Sequence, residues 1–315
     1  MEQVAPYPDR LCDPVAFAGH GIINNEQILI KTYIIMKDNI LVIGGTGKTG
    51  KRVVELLKKL NHNVSIGSRN SSPAFDWDDP ATYAAALKGM DRAYIVYYPD
   101  LAVPGAKEAI QKLTEIALKE GLEKVVLLSG KGEKEAEACE EIVAHSGLNY
   151  TLVRASWFNQ NFSESFLMEP ILEGIVALPM SEAEIPFVDA DDIAEVVTKV
   201  LLNDSFNGQT VTVTGPRKLT FREVVKTIAE ATDKHIHYQP ISIAEFKEGM
   251  KSSGLPDSYV WLFGYLFEEV LGNPDNQTIS NDIEKVLGRK AVDFKEFAKR
   301  TAASGIWNQL SPQSV

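Results

Sequence analysis

The sequence is short of cysteine, with only Cys12 and Cys139 in 315 residues. Neither stands in a Cys-x-x-Cys or Cys/His-rich spacing, which excludes a zinc cluster or redox dithiol and leaves a disulfide-free protein as the expectation. His20, His62, His145, His235 and His237 are scattered, with no pair at metal-binding spacing beside a carboxylate, so no metal is expected. Basic residues are in deficit: 32 Lys and Arg face 43 Asp and Glu, a formal charge of −11. Direct binding of nucleic acid needs clustered cations for its phosphates and is excluded on that ground. No apolar run approaches the ~18 residues of a membrane span, and the first residues lack the basic start and apolar core of a signal peptide. A cytoplasmic protein without a membrane partner is the expectation.

Residues 1–37 read as an N-terminal extension, expected to be disordered: Pro6, Pro8 and Pro14 interrupt any periodicity, and Met36 stands just before the first convincing strand. From Asn39 onward short apolar runs alternate with stretches of helical period, which predicts βαβ units and a parallel sheet. The strands read are Ile40–Ile43, Val64–Gly67, Arg92–Val96, Lys124–Leu128 and Thr151–Val153. One helix carries Val53, Val54, Leu56, Leu57 and Leu60 on a single face, and another carries Ile110, Leu113, Ile116 and Ala117. Asp79-Pro80 predicts a capped helix start, Thr210–Val213 a late strand, and Thr220-Phe221-Arg222-Glu223 a capping box.

Within the first βα turn, Gly44-Gly45-Thr46-Gly47-Lys48-Thr49-Gly50 runs from a buried strand straight into a helix. Bare backbone at positions 44, 47 and 50 allows a tight turn and lets N–H groups approach a pyrophosphate, whose charge the helix start favours. Strand, loop and helix together predict dinucleotide binding through Gly44, Thr46, Gly47, Lys48, Thr49 and Gly50. Lys48-Thr49 imitates the end of an ATP-binding P-loop, but too few residues separate it from the glycines. The expected fold is α/β, a Rossmann-type doubly wound parallel sheet with a smaller, mostly helical C-terminal lobe. Its cofactor-binding core is placed at residues 38–154, and its substrate lobe at 155–307, with late strands returning to the sheet and residues 185–203 in the core.

The second strand ends in Gly67-Ser68-Arg69-Asn70, where an NAD-specific site would carry an acidic residue for the ribose hydroxyl. Arg69 with Ser68 suits a 2′-phosphate instead, so NADP(H) is the expected cofactor. Asp76, in Phe75-Asp76-Trp77-Asp78, is a candidate acceptor for the adenine amino group and equally a turn cap.

The glycine loop is followed by Val126–Gly130, Leu152–Phe162, Pro186–Ala194, Thr214-Gly215-Pro216 and Leu219-Thr220-Phe221. In that order, over residues 38–307, these runs resemble the NmrA-like branch of the atypical short-chain dehydrogenase/reductase superfamily, near the ergot-alkaloid (agroclavine/festuclavine-type) dehydrogenases and their bacterial relatives. The resemblance implies NADP(H) laid across the strand ends. It spans reductases and also proteins that bind the cofactor without turnover, some sensing redox state by docking to transcription regulators. Superfamily enzymes typically pair Ser with Tyr-x-x-x-Lys. Ser129 matches the serine, whereas the tyrosine position falls on Gly132 and the lysine position on Ala136.

That departure points to hydride transfer onto a small organic acceptor needing little proton help, such as an iminium, a cationic dye or a quinone-like compound. Its rival is a non-catalytic NADP(H)-binding sensor or transcriptional co-regulator with a protein partner; a sugar-nucleotide epimerase would need the absent pair. Lys131 or Lys134 could reach the ribose. Trp157, Phe158, Asn159 and Asn161, just past a strand's carboxyl end, are substrate-pocket candidates beside Tyr97 and Tyr98, which follow the strand ending at Val96 and could substitute as acid. The aromatic run Tyr259–Phe267 reads either as a lid over the substrate or as a packed helix with a homodimer contact.

Overall fold

A computed structural model describes residues 37–308. The N-terminal extension expected over residues 1–37 lies outside the described residues apart from Lys37, as do Cys12 and His20. The apolar runs form β1 (Asn39–Ile43), β2 (Asn63–Gly67), β3 (Arg92–Ile95), β4 (Lys124–Gly130) and β5 (Asn149–Ala155), close to their expected bounds. Three more strands follow: β6 (Ile175–Leu178), β7 (Gln209–Val213) and β8 (His237–Pro240). The main sheet has the order β2-β1-β3-β4-β5-β7, with every neighbouring pair parallel, while β6 and β8 pair in a small parallel sheet of their own.

A parallel sheet covered on both faces needs apolar side chains at every strand position, because successive residues point to opposite sides. In β1, Leu41 and Ile43 enter one core cluster, and Ile40 and Val42 enter the other. The helices α1 (Lys48–Lys59), α2 (Tyr83–Leu87), α3 (Ala106–Lys119) and α4 (Lys134–Ala144) follow their strands. Further along lie α5 (Met168–Glu173) and α6 (Ala190–Leu202). One face of the sheet is covered by α1 and α6 through Val53, Leu57, Val196 and Val200; the other is covered by α3 and α4 through Ile110, Leu113, Cys139 and Val143. Each such side chain contributes about 1.5–3 kcal/mol on burial.

The later chain contributes α7 (Phe221–Thr232), α8 (Ile243–Ser252), α9 (Asp257–Tyr265), α10 (Asp282–Leu287) and α11 (Phe294–Ala303). Thr220 and Glu223 make both halves of the expected capping box at the start of α7, and Asp79 caps a short 3-10 turn beginning at Pro80. Here a third core is aromatic: Phe187 and Phe221 lie 5.5 Å apart, Phe162 and Phe294 5.7 Å, and Trp307 donates to the Phe162 carbonyl at 2.8 Å. Among the described residues no helix is long and apolar enough to cross a membrane.

Two chain segments are locked together just past β5. The Asn159 amide donates to the Val188 carbonyl at 2.8 Å, and the Val188 amide to the Trp157 carbonyl at 2.9 Å. The Gln160 side chain donates to the fully buried Asp189 carboxylate at 2.7 Å and accepts from the Ala190 amide at 2.7 Å. Arg300 reaches the same carboxylate at 2.7 Å. Paired in this way a buried carboxylate is tolerated, and the segment carrying Trp157 and Phe158 is held rigidly at the sheet's carboxyl edge.

Candidate functional site

The sheet order reverses direction between β1 and β3, and ligands of open parallel sheets bind outside the carboxyl ends of the strands at such a point. The glycine loop lies there. Gly44 adopts φ +76°, its amide donating to the Gly67 carbonyl at 3.0 Å, while the Gly47 amide donates back to the Gly44 carbonyl at 2.9 Å. A Cβ on Gly50 would fall 2.1 Å from the Gly44 oxygen, so the first turn of α1 is packed directly on the loop. Gly47 caps α1 without any side-chain hydrogen bond, and the first turn holds no acidic residue, leaving its N–H groups and positive dipole end for an anion. Arg52 fixes this helix from below, donating to Glu164 at 2.6 Å and also to Asp191. Thr46 is exposed on the loop, while Thr49 turns inward, its hydroxyl accepting from Tyr94 at 2.9 Å.

From Lys48 a cavity of about 380 Å³ crosses the ends of β3, β4 and β5 and stops against α9 and the turn that follows it. Burial lowers the Lys48 amine below its ordinary value, against the opposing pull of Glu164. Ser129, at the end of β4, lines the cavity at 4% exposure, and its hydroxyl has no partner among the described residues. The Trp157 indole N–H is likewise unsatisfied, with its ring set against Phe221 and Phe267. A buried polar atom without a partner costs about 1–3 kcal/mol, which a ligand's polar groups would recover. Open helix start, desolvated amine and unpartnered hydroxyl fit a dinucleotide whose phosphates meet α1 and whose other end enters the cavity.

Of the remaining candidates, Tyr97, Tyr98, Phe158 and Asn161 line the cavity beside Trp157, whereas Asn159 is fully buried outside its lining, with both side-chain amide atoms unpartnered among the described residues. Tyr97 leans on Trp77 with ring centroids 4.7 Å apart, and burial raises its phenol above the ordinary value. Tyr98 is 69% exposed and meets the hydroxyl of Tyr259 at 2.8 Å, joining the loop after β3 to α9 at the cavity wall. Tyr259, Leu262, Phe263 and Leu266, from the aromatic run, close that side. Ser68, Arg69 and Asp76 stand outside the cavity, on the side of β2: Arg69 is exposed with no ion pair among the described residues, and Asp76 accepts from the Asp78 amide at 3.2 Å as a turn cap. Lys131 reaches the cavity, although its amine donates to the Asn276 carbonyl, and Lys134 is exposed at the start of α4. The sequence reading missed Asp100 and Glu133, whose carboxyl groups share a hydrogen bond in the cavity wall. Neither lies in a recognisable motif; their only sequence signal is a position just past the ends of β3 and β4.

A glycine loop against an open helix start, with a crevice across the strand ends, defines a dinucleotide-binding α/β protein. The chain belongs to the NmrA-like family, whose model matches residues 133–303, and an NAD(P)H-binding model matches residues 44–204. It is 29% identical over 288 residues to an NAD(P)H azoreductase of Xenophilus azovorans, covering 84% of this chain and 98% of the relative. It is 26% identical over 276 residues to the agroclavine dehydrogenase of Claviceps fusiformis, covering 82% and 95%. The fold is similar to that of an NADPH-dependent quinone oxidoreductase from Escherichia coli crystallised with NADPH, with a TM-score of 0.68, 19% identity and coverage of 83% and 99%.

Proposed function

We propose that the chain is an NADPH-dependent oxidoreductase that reduces a small, flat or cationic organic molecule without a Tyr-x-x-x-Lys pair. The observation that carries this reading is the aromatic-walled cavity that begins at the glycine-loop helix and holds the unpartnered Ser129 hydroxyl. A reduced nicotinamide supplies a hydride when bound. The backbone of Gly44–Gly50 and the Lys48 amine hold phosphate charge, and Arg69 faces a 2′-phosphate from the end of β2. The Ser129 O–H, at the end of β4, donates a hydrogen bond to a polar atom of the ligand. Tyr97, Trp157 and Phe158 exclude water and orient a flat acceptor, so the protein contributes position and electrostatics. The azoreductase and agroclavine dehydrogenase among the relatives support a small-molecule substrate.

Calorimetric titration with NADPH and NADH tests the cofactor role. NADPH binds at least about tenfold more tightly, a difference near 1.4 kcal/mol, and Arg69→Ala abolishes that preference. Following reduced-cofactor absorbance with quinone, iminium and cationic-dye acceptors tests turnover. Tight binding with no oxidation across that panel overturns the reductase assignment.

A further inference from the structure

Both ends of the Tyr-x-x-x-Lys register are closed to acid chemistry. Gly132 has φ +82°, with a would-be Cβ 2.2 Å from the Asn276 side chain, and Ala136 is fully buried in the core beneath the sheet. The cavity wall nevertheless holds a different acid. Glu133 is 8% exposed and folds back over Gly130, so closely that a Cβ there would lie 1.8 Å from its carboxyl oxygen. Its carboxyl group shares a hydrogen bond with that of Asp100, and Asp100 is itself oriented by accepting from the Ala102 amide at 2.8 Å. Both line the cavity together with Ser129, whose 96% buried hydroxyl has no partner among the described residues, which marks this wall as one that receives a ligand.

Resting on the reductase reading, we infer that Asp100 and Glu133 are a one-proton carboxylic acid pair that delivers the proton to a neutral acceptor. Two carboxylates in hydrogen-bond contact cannot both ionise, so one proton stays between them. Burial pushes Glu133 well above the usual carboxylate range, and the Asp100 charge, the hydrogen bond between them and Glu140 add to it. Burial also raises Asp100, opposed by the Ala102 amide. The other ionisable groups facing the pair are Glu140 and Cys139 on α4 and Tyr265 at the end of α9, with Lys107 and Glu108 of α3 beyond Cys139. Glu140 is held by Arg154 at 2.9 Å, and the Lys131 amine is turned to the Asn276 carbonyl, so among the described residues no cation forms an ion pair with either carboxyl group.

With a quinone the balance is complete. A hydride carrying two electrons passes from the reduced nicotinamide to the quinone, which becomes the hydroquinone monoanion. The O–H bond of Glu133 then breaks as the new hydroquinone O–H bond forms. The nicotinamide is oxidised, the quinone is reduced, and the glutamate carboxylate recovers its proton from water. A cationic dye or iminium is neutralised by the hydride alone and needs no such donor, so the pair extends the acceptor range to neutral molecules.

Three measurements on the full chain test this, using Glu133→Gln and Asp100→Asn. Wild type shows the infrared carbonyl band of a protonated carboxyl group at neutral pH, and Glu133→Gln loses it. The ratio of quinone to cationic-dye turnover falls about 100-fold in Glu133→Gln, the usual contribution of a general acid. The alkaline limb of kcat/KM for the quinone moves to lower pH in Asp100→Asn, which removes the charge that holds the proton on Glu133, and this variant carries the test if Glu133→Gln does not fold. Absence of the band, an unchanged ratio or an unmoved limb overturns the assignment. A wild type that shows the band but reduces no acceptor overturns the donor role through the reductase reading while leaving the shared proton in place, so the two failures are told apart.

Discussion

Gly50→Ala separates the cost of crowding the cofactor loop from the ordinary benefit of alanine in a helix. Alanine is favoured over glycine in a helix interior by about 1 kcal/mol, and Gly50 is the third residue of α1. Against that gain, the new methyl would lie 2.1 Å from the Gly44 oxygen, 2.7 Å from its carbon and 2.8 Å from the Gly45 Cα. All three are backbone atoms of a loop in which the Gly44 and Gly47 amides are already hydrogen-bonded, so the clash is relieved by moving the helix start away, a form of overpacking that costs about 1–3 kcal/mol. The net effect on stability is therefore a loss of about 0–2 kcal/mol. Binding suffers more, because the same shift withdraws first-turn N–H groups from the phosphates, and each charge-assisted hydrogen bond contributes about 1.5–3 kcal/mol. Affinity for NADPH should fall by roughly 10- to 100-fold. Gly249→Ala is the control: that position lies in α8 with nothing within 4 Å of a Cβ, so it should stabilise by about 1 kcal/mol and leave binding unaltered. Calorimetry and thermal melts of the two variants decide the matter. A Gly50→Ala protein that binds NADPH as tightly as wild type refutes the placement of the phosphates on this loop.

Two further predictions concern the supports of the site. Burial works to raise Glu164, but hydrogen bonds from Arg52 and Lys51 outweigh it and hold the carboxyl below its ordinary 4.5. A depressed folded-state value gives stability that is present above 4.5 and lost as pH falls through the folded value, so the melting advantage of wild type over Glu164→Gln, about 1 kcal/mol or roughly 2–4 °C, should close on acidification. A gap that persists or widens in acid contradicts it. Asp189→Ala leaves the Gln160 amide without its acceptor and Arg300 with Asp191 alone, at 2.9 Å. The cost should be about 3 kcal/mol, or roughly 6–12 °C in Tm, and a loss under about 1 kcal/mol in a melt would show that the buried network is dispensable.

The sheet was legible because its physics is local. A strand buried on both faces is apolar nearly throughout, and β1 and β4 announce themselves by that run, while β2 at the sheet edge keeps only Val64 and Ile66, on either side of Ser65; the Gly44–Gly50 loop and the Thr220–Glu223 cap are equally local, each fixed by residues a few positions apart. The run Trp157–Asn161 was only partly legible. Its residues all follow β5, but a short 3-10 turn from Asn159 to Phe162 rotates alternate side chains, sending Asn161 to the cavity and Asn159 into the interior. Its neighbours Gln160 and Asp189 serve to tie two segments together, a role that depends on Arg300, far away in the chain.

The acid in the cavity wall was not legible at all, and the reason is geometric. The Tyr-x-x-x-Lys spacing tests only the positions at and before the start of α4, and those positions, Gly132 and Ala136, are a left-handed glycine and a core alanine. A proton donor needs only to present an O–H to the strand ends, and any loop emerging there can supply it. Asp100 leaves the end of β3 and Glu133 the end of β4, and because β3 and β4 are neighbours in the sheet, their loops meet over the same crevice. Strand order, which no single stretch of sequence contains, therefore decides which carboxyl groups face one another. The same order brings Ser129 and Trp157 to the cavity from β4 and β5. A chain without tyrosine and lysine at those positions thus presents an acid from two adjacent loops on the same sheet.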